Sequence, residues 1–112
     1  MLLRRGDVVL VDFSPARAAE ANYTRPAVVV TNNQANAFAP VVMVVPLTSN
    51  LTKVYPVQLF LPLARSGLDR DSKAQVELMR HVTLERIQKT LSQLPPDLMK
   101  ELDARLRDHL AL

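Results

Sequence analysis

Cysteine and tryptophan are absent from this 112-residue chain, and glycine occurs only twice. Without cysteine there is no disulfide framework, no cysteine-based zinc site and no thiol nucleophile. With only Gly6 and Gly67, far apart, there is no glycine-rich phosphate loop. Aromatic residues make up 4% of the chain, too few for the base-stacking platform that many single-strand nucleic-acid binders use. The two histidines, His81 and His109, lack the i, i+4 spacing of a helical metal pair and read as ordinary surface or interface residues. No G-x-S-x-G nucleophile elbow occurs. No apolar run approaches the ~20 residues of a membrane span, and "MLLRRGD" has no signal-peptide apolar region, so a cytoplasmic protein is expected.

What is present is a globular composition, 48% hydrophobic and 22% charged. Its length suits a single domain, 1–112, with a real core. The net charge of +3 is uneven: residues 1–93 hold 11 basic against 7 acidic residues, and residues 94–112 hold 3 against 4. A basic body suits an anionic partner, a nucleic acid or an acidic protein segment, although +3 alone is also ordinary solubility charge.

Strand signals come first and one clear helix last. "DVVLVDF" (7–13), "RPAVVVTN" (25–32) and "VVMVVPLT" (41–48, broken near its end by Pro46) read as strands, and "VQLFL" (57–61) as a fourth. "NQANAF" (33–38) is a turn or short helical connection, and 62–72 is a charged loop around Gly67. "KAQVELMR" (73–80) alternates, with Lys73, Gln75 and Glu77 on one face and Ala74, Val76 and Leu78 on the other; a bulge is expected at Met79 and Arg80. Thr83 is placed to cap a helical turn, "LERIQ", before a short strand near 88–92. The helix is "LPPDLMKELDARLRDHLAL" (94–112), with prolines and Asp97 in its first turn and a stripe of Leu98, Met99, Leu102, Leu106 and Leu110. The pattern is mainly β, a small barrel or strongly curved antiparallel sheet with a C-terminal α-helix.

Three pieces stand out by position, two of them at strand ends, where a sheet fixes side chains beside adaptable loops, and one in the first loop. Arg25 precedes Pro26, and proline holds the residue before it extended, so the guanidinium is presented rigidly. Thr48 and Ser49 leave the third strand just after Pro46, and Glu20 lies five residues before Arg25. Each also has a structural reading: a turn hydroxyl for Thr48, a surface charge for Arg25.

"RRGDVVLVDFSP", "EANYTRPAVVVTNN", "VVMVVPLTSN" and "RDSKAQVELMRHVTLERI", in this order and spacing, resemble the MazF/PemK family of toxin endoribonucleases. The resemblance covers nearly the full chain. It implies an SH3-like barrel with a C-terminal helix, a homodimer, and metal-independent, cofactor-free cleavage of single-stranded RNA. It also implies a cognate MazE-like antitoxin whose acidic flexible tail lies over the RNA groove. Carried onto this chain, Arg25 and Thr48 form the central pair. Glu20, Ser49, Gln75 and Glu77 bind or orient the substrate, and no residue is expected to hold a metal. Arginine is suited to clamping phosphate through its planar fork. It is ill suited to proton transfer, because its deprotonation in a protein is too costly. Glu20 and Glu77 are therefore the candidate bases, with an orienting role favoured for both.

The chain departs from the family pattern in its first loop, "ARAAEANYT", which has no glycine and carries Ala18 and Ala19 where Gly-Ser is usual; a stiffer loop is expected. Leu78 stands where a glutamine is common. The competing readings are a CcdB-like toxin that binds and poisons DNA gyrase without cleaving RNA, and an inactive binding barrel. A terminal "DHLAL" without an aromatic tip weighs against the first.

Overall fold

The computed structural model describes residues 2–15, 18 and 23–112. Its strands are β1 (Asp7–Asp12), β2 (Thr24–Val29), β3 (Val41–Thr48), β4 (Leu59–Leu61), β5 (Ser72–Ala74), β6 (Arg80–Thr83) and β7 (Ile87–Gln93). The helices are α1 (Asn33–Phe38), α2 (Leu63–Ser66) and α3 (Pro96–Leu110). The strands run β4-β5-β3-β2-β1-β7, with β6 also on β3, and every pairing is antiparallel.

The central strands read as almost continuous valine because both faces of the sheet are covered. Val9, Val11, Ala27, Val29, Val42 and Val44 pack on one side with Leu3, Phe13, Val82 and Ile87. Val8, Val28, Val45 and Leu47 pack on the other with Leu59, Leu61, Leu94, Leu98 and Leu102. Helix α3 roofs this second face. Of its apolar stripe, Leu98 and Leu102 are buried, Met99 and Leu106 pack at the margin, and Leu110 is 50% exposed. Arg5 ties α3 to the sheet: its Nε donates to the Val30 carbonyl at 2.8 Å and its Nη2 to Asp103 at 2.7 Å. Gly6 turns the chain into β1 with φ of 96°, a conformation side chains disfavour, while its N–H donates to the Val29 carbonyl.

The sheet is open rather than a closed barrel. Two register shifts in the β1–β7 ladder, between Val8 and Val9 and between Leu10 and Val11, curl it in the way bulges do. Strands β6 and β7 curve over the first core, yet each pairs only with a central strand, β3 and β1 respectively.

Other differences from the expected elements have local causes. Pro46 does not break β3, which runs to Thr48. The N–H and C=O of a strand residue point to the same edge, and the Pro46 carbonyl accepts from Gln75 N at 2.8 Å. The missing N–H therefore falls on that edge and not on the ladder with β2. On that edge the partner strand cannot continue. Strand β5 stops at Ala74, and a 3₁₀ turn, Val76–Leu78, replaces the alternation expected through Met79. The turn after β6 forms at Leu84–Arg86, without a side-chain cap from Thr83. The loop expected over 62–72 contains α2, which ends at Gly67 with φ of 75°. No helix among the described residues is long and apolar enough to cross a membrane.

Candidate active site between β2 and β3

Strands β2 and β3 pair only at Ala27↔Pro46, Val28↔Val45 and Val29↔Val44. Extending that register by two residues would set Arg25 opposite Thr48. Instead the strands part there: Arg25 pairs only with Val11 of β1, and Thr48 pairs with Lys73 of β5. The gap is a cleft of about 320 Å³. Arg25, Thr48 and Ser49 line it, so three of the six expected site residues meet there.

Arg25 is half-buried, and no carboxylate among the described residues pairs with it; the described ion pairs are Arg5–Asp103 and Arg65–Asp97. Thr48 Oγ1 accepts a 3.2 Å hydrogen bond from Asn50 N, the ordinary turn contact. The hydroxyl still has its proton to donate into the cleft. The remaining wall includes Tyr23, Thr24, Asp69, Arg70 and Ser72. Arg70 brings a second exposed cation to the site, and its carbonyl accepts from Ser72 Oγ at 3.2 Å. Sequence reasoning missed these residues. The signal was the short "DSKA" strand, whose pairing with Thr48 carries the preceding charged loop to the cleft.

The other expected residues lie elsewhere. Glu77 is exposed on the 3₁₀ turn and accepts a 2.6 Å hydrogen bond from Nε2 of buried Gln58. Gln75 sits beside Pro46, and its Oε1 is buried without a described partner. Neither is among the cleft-lining residues. Glu20 falls outside the described residues. Among the described residues, no three histidine, aspartate or glutamate side chains cluster as metal ligands do.

A family profile described as "PemK-like, MazF-like toxin of type II toxin-antitoxin system" matches residues 4–110. The chain belongs to this family. It is 44% identical over 116 residues to a Mycobacterium tuberculosis protein named Endoribonuclease MazF9, covering 99% of this chain and 98% of that protein. Its fold resembles the crystal structure of MazF from Deinococcus radiodurans, with a TM-score of 0.87 at 23% identity over 100% of this chain and 99% of the other. It also resembles a mycobacterial endoribonuclease solved in complex with its cognate antitoxin, with a TM-score of 0.79 at 19% identity over 99% and 95% of the two chains. Among PemK/MazF toxins the fold is thus shared at identities that leave the site residues open. The placement of Arg25 and Thr48 rests on this chain's own geometry.

Proposed function

We propose that this PemK/MazF toxin is a metal-independent endoribonuclease that cleaves single-stranded RNA, with Arg25 and Thr48 holding the scissile phosphate. The observation that carries the site is a half-buried guanidinium, without a carboxylate partner among the described residues, lining the same cleft as a threonine hydroxyl where two strands part. In this reaction the 2′-oxygen of the neighbouring ribose attacks phosphorus and the 5′-oxygen leaves, giving a 2′,3′-cyclic phosphate and a 5′-hydroxyl. The proton leaves the 2′-hydroxyl and one is delivered to the 5′-oxygen. The protein's part is to hold the groups in line and to offset charge on the phosphoryl oxygens. Arg25 supplies a two-pronged, permanently charged clamp and Thr48 a hydroxyl donor, while Ser49 and Arg70 extend the cradle. Glu77, bound to Gln58, is better suited to supporting structure than to serving as the base.

We further propose that the protein acts in the cytoplasm as a homodimer neutralised by an antitoxin with an acidic tail. Support for self-association comes from an apolar groove of about 650 Å³ between α3 and the strands, lined by Val30, Met43, Met79, Leu106 and Leu110. Light scattering at micromolar concentration tests it, and a monomer would contradict it.

The deciding experiment is cleavage of single-stranded RNA by purified protein in EDTA, with end-group analysis of the products. A cyclic phosphate and a 5′-hydroxyl are expected. Activity that is lost with chelator and restored by magnesium would overturn the reading, as would intact RNA beside a gyrase-inhibition signal.

A further inference from the structure

Thr48 pairs with Lys73 of β5, and Lys73 in turn pairs with Phe60 of β4. Residues directly opposite on neighbouring strands project to the same face. The row Thr48–Lys73–Phe60 therefore runs outward from the cleft, away from the core face that holds Leu47, Leu59, Leu61 and Ala74. Lys73 is only 7% exposed, unusual for lysine. Its ammonium donates to the Lys53 carbonyl and lies 6.0 Å from the centre of the Tyr55 ring. The Lys53 ammonium lies 4.9 Å from the same centre.

Tyr55 is 49% exposed, yet its backbone is pinned on both sides. Its N–H donates to Gln58 Oε1 at 3.0 Å, and its carbonyl accepts from Gln58 N at 2.9 Å. Gln58 is 3% exposed and is itself held, its Nε2 by Glu77 and its carbonyl by Arg105 Nε at 3.3 Å. A buried glutamine, a carboxylate and a guanidinium thus fix the backbone that presents one aromatic ring to solvent. Two ammonium groups lie within 6.0 Å of its centre, and one of them belongs to the residue paired with Thr48 on the sheet. Exposed aromatics gain nothing for folding from such fixation, but a flat partner carrying negative charge gains from both the ring and the cations.

We infer that Tyr55, with Lys53 and Lys73, is a subsite for a nucleotide flanking the scissile phosphate. This rests on the RNA reading of the Arg25–Thr48 cleft and extends it. The base stacks on the Tyr55 ring, as bases stack on aromatic side chains in single-strand binders. The exposed Lys53 swings from the ring to the adjoining phosphate, while the buried Lys73 keeps its charge beside the ring. One ring on a pinned backbone thus serves a chain whose composition is too poor in aromatics for a platform of several. Glu77 and Gln58 act on RNA through Tyr55 as positioning residues, and they do so at a distance from the reacting atoms.

The test uses a short, mixed-sequence RNA with every 2′-hydroxyl methylated, which removes the nucleophile and separates binding from cleavage. Because the chain has no tryptophan, Tyr55→Trp places a single reporter at the subsite. Its emission should be quenched as this RNA binds. By anisotropy, Tyr55→Phe should bind as the parent does and Tyr55→Leu about tenfold more weakly. Lys53→Gln should make the salt dependence shallower by about 0.7 in log–log slope. Thermal melting of each variant checks folding. Parental binding with an unresponsive Tyr55→Trp and an unweakened Tyr55→Leu would overturn the subsite and leave the Arg25 cleft standing. Failure of the parent itself to bind RNA would overturn both readings. Unweakened RNA binding with lost binding of an acidic antitoxin peptide would make this a protein-docking face and overturn the proposal.

Discussion

At one end of the β2–β3 pair, Ala27, Val28 and Val29 lie in register with Val44, Val45 and Pro46, and all six are buried. At the other end, two residues further on, Arg25 and Thr48 stand on separated strands, half-exposed, with a cleft between them. The same two strands form core at one end and site at the other. The difference lies in which neighbours they keep. β2 holds to β1 down to Thr24, while β3 passes its last two residues to β5. Proline marks both parting points, Pro26 one residue beyond the last paired Ala27 and Pro46 opposite it. A rigid ladder behind a parted end positions a charged side chain at the cleft with no carboxylate partner among the described residues.

The comparison breaks most sharply in opposite ways at its two ends. Removing the Arg25 clamp should lower RNA cleavage about 100- to 1,000-fold with the melting temperature unchanged, the scale of losing one transition-state donor. Arg25→Lys should recover little, because an ammonium lacks the planar fork. Steady-state cleavage of one RNA substrate by both variants measures this, and near-parental turnover in Arg25→Ala would remove it from the site. At the closed end, Leu102→Ala should cost about 2–5 kcal/mol by opening a cavity under α3. It should leave the rate per folded molecule unchanged. Denaturant unfolding and cleavage assays on one preparation separate the two effects.

A smaller effect is expected where the two ends meet. Pro46→Ala restores an N–H on the edge where β5 has given way to the 3₁₀ turn, and it loosens the unfolded chain. Unfolding should become easier by about 1 kcal/mol, from the added unfolded-state entropy and a donor facing a broken ladder. A stabilised variant would mean that the N–H finds an acceptor and that the proline does not set the end of β5.

Much of this arrangement was legible in the sequence, and what was not has a common cause. The three long apolar strands and α3 declare themselves through valine runs and a leucine stripe. Arg25 and Thr48 stand out because proline and strand ends are local signals. The alternation through Gln75 and Glu77 suggested a longer strand than the one that forms, because it continues past Ala74, where β5 stops; what ends it is a carbonyl and a missing N–H on Pro46, almost thirty residues earlier. Arg70 was invisible because its loop reaches the cleft only through the β3–β5 pairing. Whether the curved sheet closes depends on contacts between β6 and β7, each of which pairs with a central strand instead. Each of these is a relation between distant segments, which local pattern does not encode.

The smallest effect concerns a second arginine and sharpens the contrast with Arg25. Arg65, in the last turn of α2, bonds Asp97, in the first turn of α3, at 2.6 and 2.5 Å, and both side chains are open to solvent. The hydrogen bond from Arg65 holds the Asp97 carboxyl below its ordinary value of 3.8, while desolvation pulls the other way. A carboxyl lowered in the folded state contributes stability above its ordinary value, and that contribution is lost as pH falls through the folded value. Exposed pairs gain little, because solvent screens them and two long side chains must be ordered. Asp97→Asn should therefore move the melting temperature by no more than about 2 °C at neutral pH. The difference from the parent should fade in high salt and vanish once pH falls below the carboxyl's titration. RNA cleavage should be unaffected, although a full charge has been removed. Arg25 is expected to be the reverse case, a charge with no described carboxylate whose loss should spare stability and impair cleavage. Melting curves of Asp97→Asn and Arg25→Ala across pH, read beside their cleavage rates, test that division. A large acid-dependent loss of stability in Asp97→Asn, or impaired cleavage by it, would show that the two arginines are not so cleanly separated.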